Sequence, residues 1–436
     1  MKVFARIFLP FLVLSFFSNC FAEDTARIIT ISEGLRLATD NNRLIKIASF
    51  NKDIASADTL VAKSKLLPSL NASFSQTYLS HQIGALFDSQ TAFLSQKDYL
   101  SYGINVYQTI YDFGANISRY EASKTFLDVT KLDLVRIRNF VALYFINTYF
   151  DLLETEKMIL VSQKEVERFE AHLKVAQSLY TEGVITKNDL LQAEVMLSDV
   201  KQRLLTVKNR RSTHASKMNN ILARPINAEV QVIDMPMNAS EALELEKAWK
   251  TAETERSEIK IIDHELKILN LQETAAKSEY YPKLFAQGGY NFTENRYQFP
   301  EGNWSLVLGM NLNLFSGGST RAEVSKVIYR REQLIEQKSK LTDDIRLEVE
   351  KSYLDLKNAV EKIQVTKDAV NQAEENLRLH KIRYEEGIGT STDVVDAITL
   401  LTTAETNYYR AVYELRRAQA ELQHAMGLDL VSTYSH

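Results

Sequence analysis

Two stretches of this chain, residues 115–182 and 319–386, each run for 68 residues without a glycine or a proline. As continuous α-helices they extend about 100 Å at 1.5 Å per residue, against roughly 30 Å for the diameter of a small domain. A compact globule cannot contain them. The chain spends only 14 glycines and 6 prolines in 436 residues, and clusters of them separate shorter breaker-free stretches at 35–67, 184–224, 237–281 and 390–426. These read as further helices. In the second long stretch Leu334, Leu341, Ile345, Leu356, Val360, Ile363, Val370, Leu377 and Tyr384 recur on steps built from threes and fours, with Glu, Lys, Gln, Asp and Arg between them. That is the seam of a coiled coil with a solvated outer face.

The chain is written twice. Tyr180-Thr-Glu-Gly183-Val-Ile-Thr186-Lys-Asn-Asp189, followed by Ala193, recurs as Tyr384-Glu-Glu-Gly387-Ile-Gly-Thr390-Ser-Thr-Asp393, followed by Ala397. Leu67-Pro68-Ser69-Leu70 likewise answers Tyr281-Pro282-Lys283-Leu284, and Phe113, Arg119, Glu121 and Lys124 answer Phe315, Arg321, Glu323 and Lys326. The expected organisation is therefore two copies, 23–224 and 240–430, a linker at 225–239 that holds Pro225 and Pro236, and a tail at 431–436.

Between the Pro-Xaa-Leu site and the long helix of each copy the apolar period changes to two. Leu70, Ala72, Phe74 and Tyr78 alternate with polar residues, as do Tyr102, Ile104, Val106 and Ile110, then Leu284, Ala286, Gly288, Tyr290 and Phe292. The fourth alternation runs from Trp304 to Phe315. Each is about ten residues, the length a tilted strand needs to cross a bilayer. No segment after the first residues is apolar for long enough to span as a helix, since Phe140 to Phe150 is interrupted by Asn147 and Thr148. Four spanning strands cannot close a barrel, and open strand edges are not tolerated in lipid, so several copies must contribute to one barrel.

The start of the chain reads as an export signal. Lys2 and Arg6 precede an apolar run from Ile7 to Phe17, and Cys20-Phe21-Ala22 suits cleavage after Ala22. The alternative, lipidation at Cys20, lacks the small residue wanted before that cysteine. Cleavage after Ala22 removes the only cysteine, and with Lys2 and Arg6 gone the net charge moves from −4 to −6. Nucleic acid is not an expected partner of such a chain. Nor is catalysis expected: the seven histidines, at 81, 172, 214, 264, 380, 424 and 436, stand singly without metal-ligand spacing, and no phosphate loop or nucleophile elbow occurs. No cofactor is implied.

The order of elements, with the repeated Tyr-Xaa-Xaa-Gly…Thr-Xaa-Xaa-Asp turn, resembles the TolC family of outer-membrane efflux and secretion ducts, across both copies. The most specific stretch is Thr392-Asp393-Val394-Val395-Asp396-Ala397, followed by Leu401 and Ala404. The resemblance implies a mainly helical chain with a membrane β-barrel. In a homotrimer, the four strands of each chain complete a 12-stranded barrel and the coiled-coil helices form a tunnel of 12 helices in the periplasm. It also implies a passive channel that works with a periplasmic adaptor and an inner-membrane pump of the ABC or proton-driven kind. By match to the motif, Asp393 and Asp396 ring the periplasmic constriction, and Asp189 and Tyr384 take part in closing the tip. The resemblance further implies that the turns carrying Gly183, Val184, Thr186, Gly387, Ile388 and Thr390 meet the adaptor. The residues themselves offer a simpler account of Asp393, because Thr390 and Asp393 have the spacing of a helix capping box, as do Thr186 and Asp189. Asp396 has no such account, and Gln192 stands at its equivalent place. Where the family carries an arginine two residues after the second turn glycine, this chain has Gly389, which leaves the partner of Asp189 open, Lys187 being a weak substitute. A soluble coiled-coil adaptor or rod is the competing reading, but it leaves unexplained four amphipathic strands bordered by Tyr99, Tyr111, Tyr290 and Trp304.

Overall fold

The computed structural model describes residues 28–88, 90–234 and 244–434. The expected export signal at 1–22, with Cys20, lies outside the described residues, as does Pro236 of the linker. In the first copy β1 (Ile28–Ile29), α1 (Ile31–Asn41) and α2 (Arg43–Ser64) lead to β2 (Ser69–Tyr78), a short hairpin of β3 (Gly84–Phe87) and β4 (Gln90–Phe93), and β5 (Asp98–Tyr111). Then come α3 (Ala115–Thr181), α4 (Lys187–Ile221) and β6 (Gln231–Val232). The second copy runs α5 (Leu245–Glu255), α6 (Ser257–Lys277), β7 (Lys283–Thr293), β8 (Gly302–Asn311), α7 (Ser319–Glu385), α8 (Ser391–Ala425) and α9 (Leu430–Thr433). The two 67-residue helices α3 and α7 begin one residue after glycines held at positive φ, Gly114 and Gly318, and end before Gly183 and Gly387. Among the described residues no helix is long and apolar enough to cross a membrane.

The stretches 35–67 and 237–281, read as uninterrupted helices, are each broken, at Asn42 and Arg256, where the backbone turns to ψ 134° and 120°. Neither break uses glycine or proline. The Asn42 carboxamide accepts from the Leu44 amide at 2.9 Å and donates to the Ile221 carbonyl at 2.8 Å. In the second copy the Arg256 guanidinium donates to the Ala425 carbonyl at 3.3 Å and pairs with Glu258 and Glu348. Each break thus ties the start of its copy to the carbonyl end of that copy's last long helix. The tie stands in for the helical hydrogen bonds that are lost and satisfies a helix-end acceptor.

At these breaks the helices carry a folded layer, the waist of the molecule. Here α1, α9 and the parallel pair β1–β6 cover α3, and α5 covers α7. Its core joins Ile31, Leu35 and Ala38 to Phe145, Ile146 and Tyr149, with the Tyr149 hydroxyl donating to the Ile233 carbonyl at 2.7 Å. Gly34 lets the Phe145 ring lie where a Cβ would stand.

All four long strands form one antiparallel sheet in the order β2-β5-β7-β8. The register decides its character. Leu70 pairs with Val106, Ala72 with Ile104 and Phe74 with Tyr102; across the next two ladders Ile104 pairs with Tyr290 and Tyr290 with Trp304, while Ala286 pairs with Leu308. The apolar sets of all four strands therefore share one face, and they stay exposed there, Phe74 at 75% and Leu306 and Leu308 at 76%. On the opposite face Asn105 and Asn291 exchange hydrogen bonds at 3.1 and 3.2 Å over Gly103 and Gly289. Aromatic contacts border the sheet, Tyr290 with Trp304 toward one end and Tyr111, Phe113 and Tyr281 at the other.

Two details depart from the sequence reading. The fourth strand stops at Asn311 instead of Phe315, because its partner begins at Lys283, immediately after Pro282, which has no N–H to extend the ladder. The stretch between β2 and β5, for which the sequence reading gives no strand, holds the β3–β4 hairpin.

Candidate functional site

The helices α3 and α4 meet at one turn and α7 and α8 at another, and both turns are built alike. Gly183, at φ 76°, lets Val184 N–H reach the Leu179 carbonyl at 2.9 Å while its own N–H reaches Tyr180 at 3.0 Å. Gly387, at φ 74°, does the same, with Ile388 N–H on Arg383 at 3.0 Å and its own N–H on Tyr384 at 3.1 Å. Nothing lies within 4 Å of a Cβ at either glycine, so the requirement is conformational and not steric. Val184 and Ile388 are left exposed, at 55% and 72%.

Each following helix starts with a complete capping box. Thr186 Oγ1 accepts from the Asp189 amide at 3.3 Å and the Asp189 carboxylate accepts from the Thr186 amide at 3.0 Å. Thr390 and Asp393 repeat this at 3.1 and 3.0 Å. The hydrogen bonds from Thr390 hold the Asp393 carboxyl below the usual carboxylate range. Asp396 lies one helical turn on, exposed, while Val394, Val395, Ala397 and Ile398 between and beyond the two acids are buried. The acids thus share the solvent side of α8. Lys187 is exposed and forms no ion pair with Asp189.

Tyr384 lies within the helix packing beside the second turn. It is 3% exposed, and its ring lies 5.2 Å from the imidazole of His172 on α3. His172 Nε2 and Ser391 Oγ, the latter on the first turn of α8, are hydrogen-bonded at 2.9 Å. The Tyr384 hydroxyl sits near Ser391 outside hydrogen-bonding geometry, and burial, aided by the nearby Asp189 charge, raises its pKa. Burial, followed by the positive charge of Lys381, pushes His172 down to about 4. One cluster therefore joins α3 of the first copy to both helices of the second. A little further from the turn, Arg168 donates to both carboxylate oxygens of Glu405 at 2.8 and 2.9 Å, again α3 to α8, with Glu405 only 6% exposed. Nothing in the sequence marks His172, Ser391, Arg168 or Glu405, which lie more than 200 residues from their partners. A lone histidine in a charged helix carries no signal. Among the described residues no group of three or more His, Cys, Asp or Glu is placed to hold a metal ion.

The geometry is that of long paired helices that end in two capped turns at one end and continue into an apolar-faced sheet at the other. The outer membrane efflux protein family model matches residues 34–224 and 249–428. The chain belongs to the outer membrane efflux protein family. It is 23% identical over 411 residues to outer membrane protein TolC of Salmonella enteritidis, covering 89% of this chain and 79% of that protein. To the pyoverdine export outer membrane protein OpmQ of Pseudomonas aeruginosa it is 21% identical over 379 residues, covering 86% and 78%. Among solved structures, the outer membrane protein VceC of Vibrio cholerae superposes with a TM-score of 0.81 at 15% identity, over 92% of this chain and 96% of that one. The fold is thus that of an outer membrane protein of this family, and the relatives include an export protein of the outer membrane. The protein is located in the outer membrane and works as an exit duct for efflux or secretion.

Proposed function

We propose that three copies of this chain assemble into one continuous passive duct, with a shared barrel in the lipid and a shared helical tunnel in the periplasm. The observation that carries this is the sheet. Its four strands leave β2 and β8 with open edges and expose a register-aligned apolar face, a surface that only lipid and neighbouring strands satisfy. Three such sheets make 12 strands. The helices agree: edge helix α7 exposes Leu347 and Leu354, one heptad apart.

The copies 23–224 and 240–430, joined by the linker 225–239 and followed by the tail 431–436, supply equivalent hairpins to the wall, after export directed by residues 1–22. Threefold symmetry brings Asp393 and Asp396 to one axis as a ring of carboxylates at the periplasmic constriction, which favours cations and titrates as a unit. Tip closure rests on Asp189 and Tyr384, the latter through its buried contact with His172. The exposed turns at Gly183, Val184 and Thr186 and at Gly387, Ile388 and Thr390 meet a periplasmic adaptor that connects the duct to an inner-membrane ABC or proton-driven pump. The cargo is small molecules or an unfolded polypeptide.

The decisive measurement is the mass of the species extracted from the outer membrane by detergent. A protein mass near three chains is expected; a soluble monomer absent from that membrane overturns the assembly. In planar bilayers the double substitution Asp393→Ala, Asp396→Ala is expected to raise anion passage and weaken block by multivalent cations. Unchanged selectivity removes the carboxylate ring.

A further inference from the structure

Far from the turns, α2, α3 and α6 enclose a cavity of about 450 Å³. That lies within the range of roughly 300–1,000 Å³ typical of small-molecule sites. Its walls are apolar and only partly covered: Ile54 of α2 is 59% exposed and Phe126 of α3 47%, beside buried Val129 and, from α6, Ile261. Two acids reach it. Asp133 is compensated, since its Oδ1 accepts from Arg136 at 2.9 and 2.6 Å. Glu265 of α6 is half-buried, and among the described residues no cation or hydrogen-bond donor reaches its carboxylate. Burial alone raises its pKa. A half-buried carboxylate beside apolar walls, with no side-chain partner, is left to water alone, and a cation with an apolar body satisfies both the acid and the walls at once.

The cavity also has a direction. Phe126 and Asp133 are one heptad apart on α3, and at about 100° per residue they lie roughly 100–160° around that helix from Phe145 and Tyr149, which carry the waist layer. It therefore opens on the face away from the waist. Both helices that flank α3 line this one cavity, which is what the concave side of a curved helical wall produces. In the assembled duct that side is the lumen.

We propose that this cavity is a cargo-contact site for amphipathic organic cations, with Glu265 receiving the ammonium and Ile54, Phe126, Val129 and Ile261 the hydrophobic body. Its place in the lumen rests on the duct reading above. The site itself rests on the cavity and its uncompensated acid.

The test uses the full chain in lipid nanodiscs, with rhodamine 6G as a cationic probe and Nile red as a neutral one, followed by fluorescence anisotropy against empty discs. Saturable binding of rhodamine 6G is expected, weakened about tenfold by Glu265→Gln and largely kept by Glu265→Asp, because one charge-assisted contact is lost in the first case and retained in the second. Phe126→Ala is expected to weaken both probes, whereas Nile red is indifferent to Glu265→Gln. Equal rhodamine 6G affinity in the wild type and Glu265→Gln, or no saturable binding above empty discs, overturns the site. The same preparation reports assembly and conductance. A conducting trimer that fails to bind rhodamine 6G defeats the site alone; a chain that binds it in this charge-dependent way without forming a trimer upholds the site and defeats the duct reading.

Discussion

The two tip turns have nearly the same sequence and the same backbone, yet they stand in different surroundings. Tyr180 is 41% exposed and Tyr384 is 3% exposed, although each lies three residues before its turn glycine. The helix after the first turn buries only Ala193 and Val200 along its first four turns, while the helix after the second buries Ser391, Val394, Val395, Ala397, Ile398 and Leu401. The reason is position in the wall. The helix α8 packs against both long helices, α3 and α7, whereas of those two α4 packs against α3 only and forms an edge among the described residues. Local chemistry made two equal turns, and neighbours made one of them a packed junction between copies. The side-chain contacts that join the two copies at this end of the helices are concentrated there, in His172, Ser391, Tyr384 and the Arg168–Glu405 pair.

The sharpest way to break this comparison is to truncate the matched tyrosines. Tyr384→Ala is expected to cost about 3 kcal/mol, as for other large buried aromatics, and Tyr180→Ala under about 1 kcal/mol. Amide hydrogen exchange beside each turn, in α3 and α4 for Tyr180→Ala and in α7 and α8 for Tyr384→Ala, reads the difference, and equal effects mean that the two turns are energetically alike.

Acid sharpens the same contrast. An imidazole titrates near 6.5 when unfolded and His172 at about 4 in the fold, so as pH falls the unfolded chain takes up its proton first. The stabilisation is therefore complete above pH 6.5 and is lost as pH falls toward 4, by up to about 3 kcal/mol at 1.36 kcal/mol per pH unit. Protection in α8, that is, exchange corrected for the intrinsic amide rate at each pH, is expected to fall between pH 7 and 4.5 in the wild type and to change much less in His172→Leu, with α4 indifferent in both. If α4 and α8 loosen together, the histidine is not the source.

The smallest effects are those in which the turns should agree. Thr186→Ala and Thr390→Ala each remove one cap and are expected to cost about 1 kcal/mol, read by local exchange in the first turn of α4 and of α8. A large inequality between them makes the cap of the second copy part of the buried junction.

Much of this molecule was legible before its structure. The long helices were visible because nothing in 115–182 or 319–386 stops a helix, and the turns because glycine, threonine and aspartate each have a local task there. The strands were visible because a period of two survives along each of them. The breaks at Asn42 and Arg256 were not legible, since neither is a breaker residue. What bends the chain is a side-chain bond to a carbonyl at Ile221 or Ala425, 179 or 169 residues away. The β3–β4 hairpin was missed for want of a clear alternation in so short a run, and β8 was read too long because the limit set by Pro282 acts through its partner strand.

By itself, then, the sequence determined the lengths of the elements, their duplication and the two faces of each strand, because these follow from backbone conformation and from the order of apolar residues within a few turns. Only the tertiary structure decided that the four strands align their apolar faces in one register, that Tyr384 is buried while Tyr180 is not, that His172 holds Ser391, and that Glu265 is left without a partner among the described residues. Those are properties of neighbours, and which segments become neighbours depends on contacts between residues hundreds of positions apart.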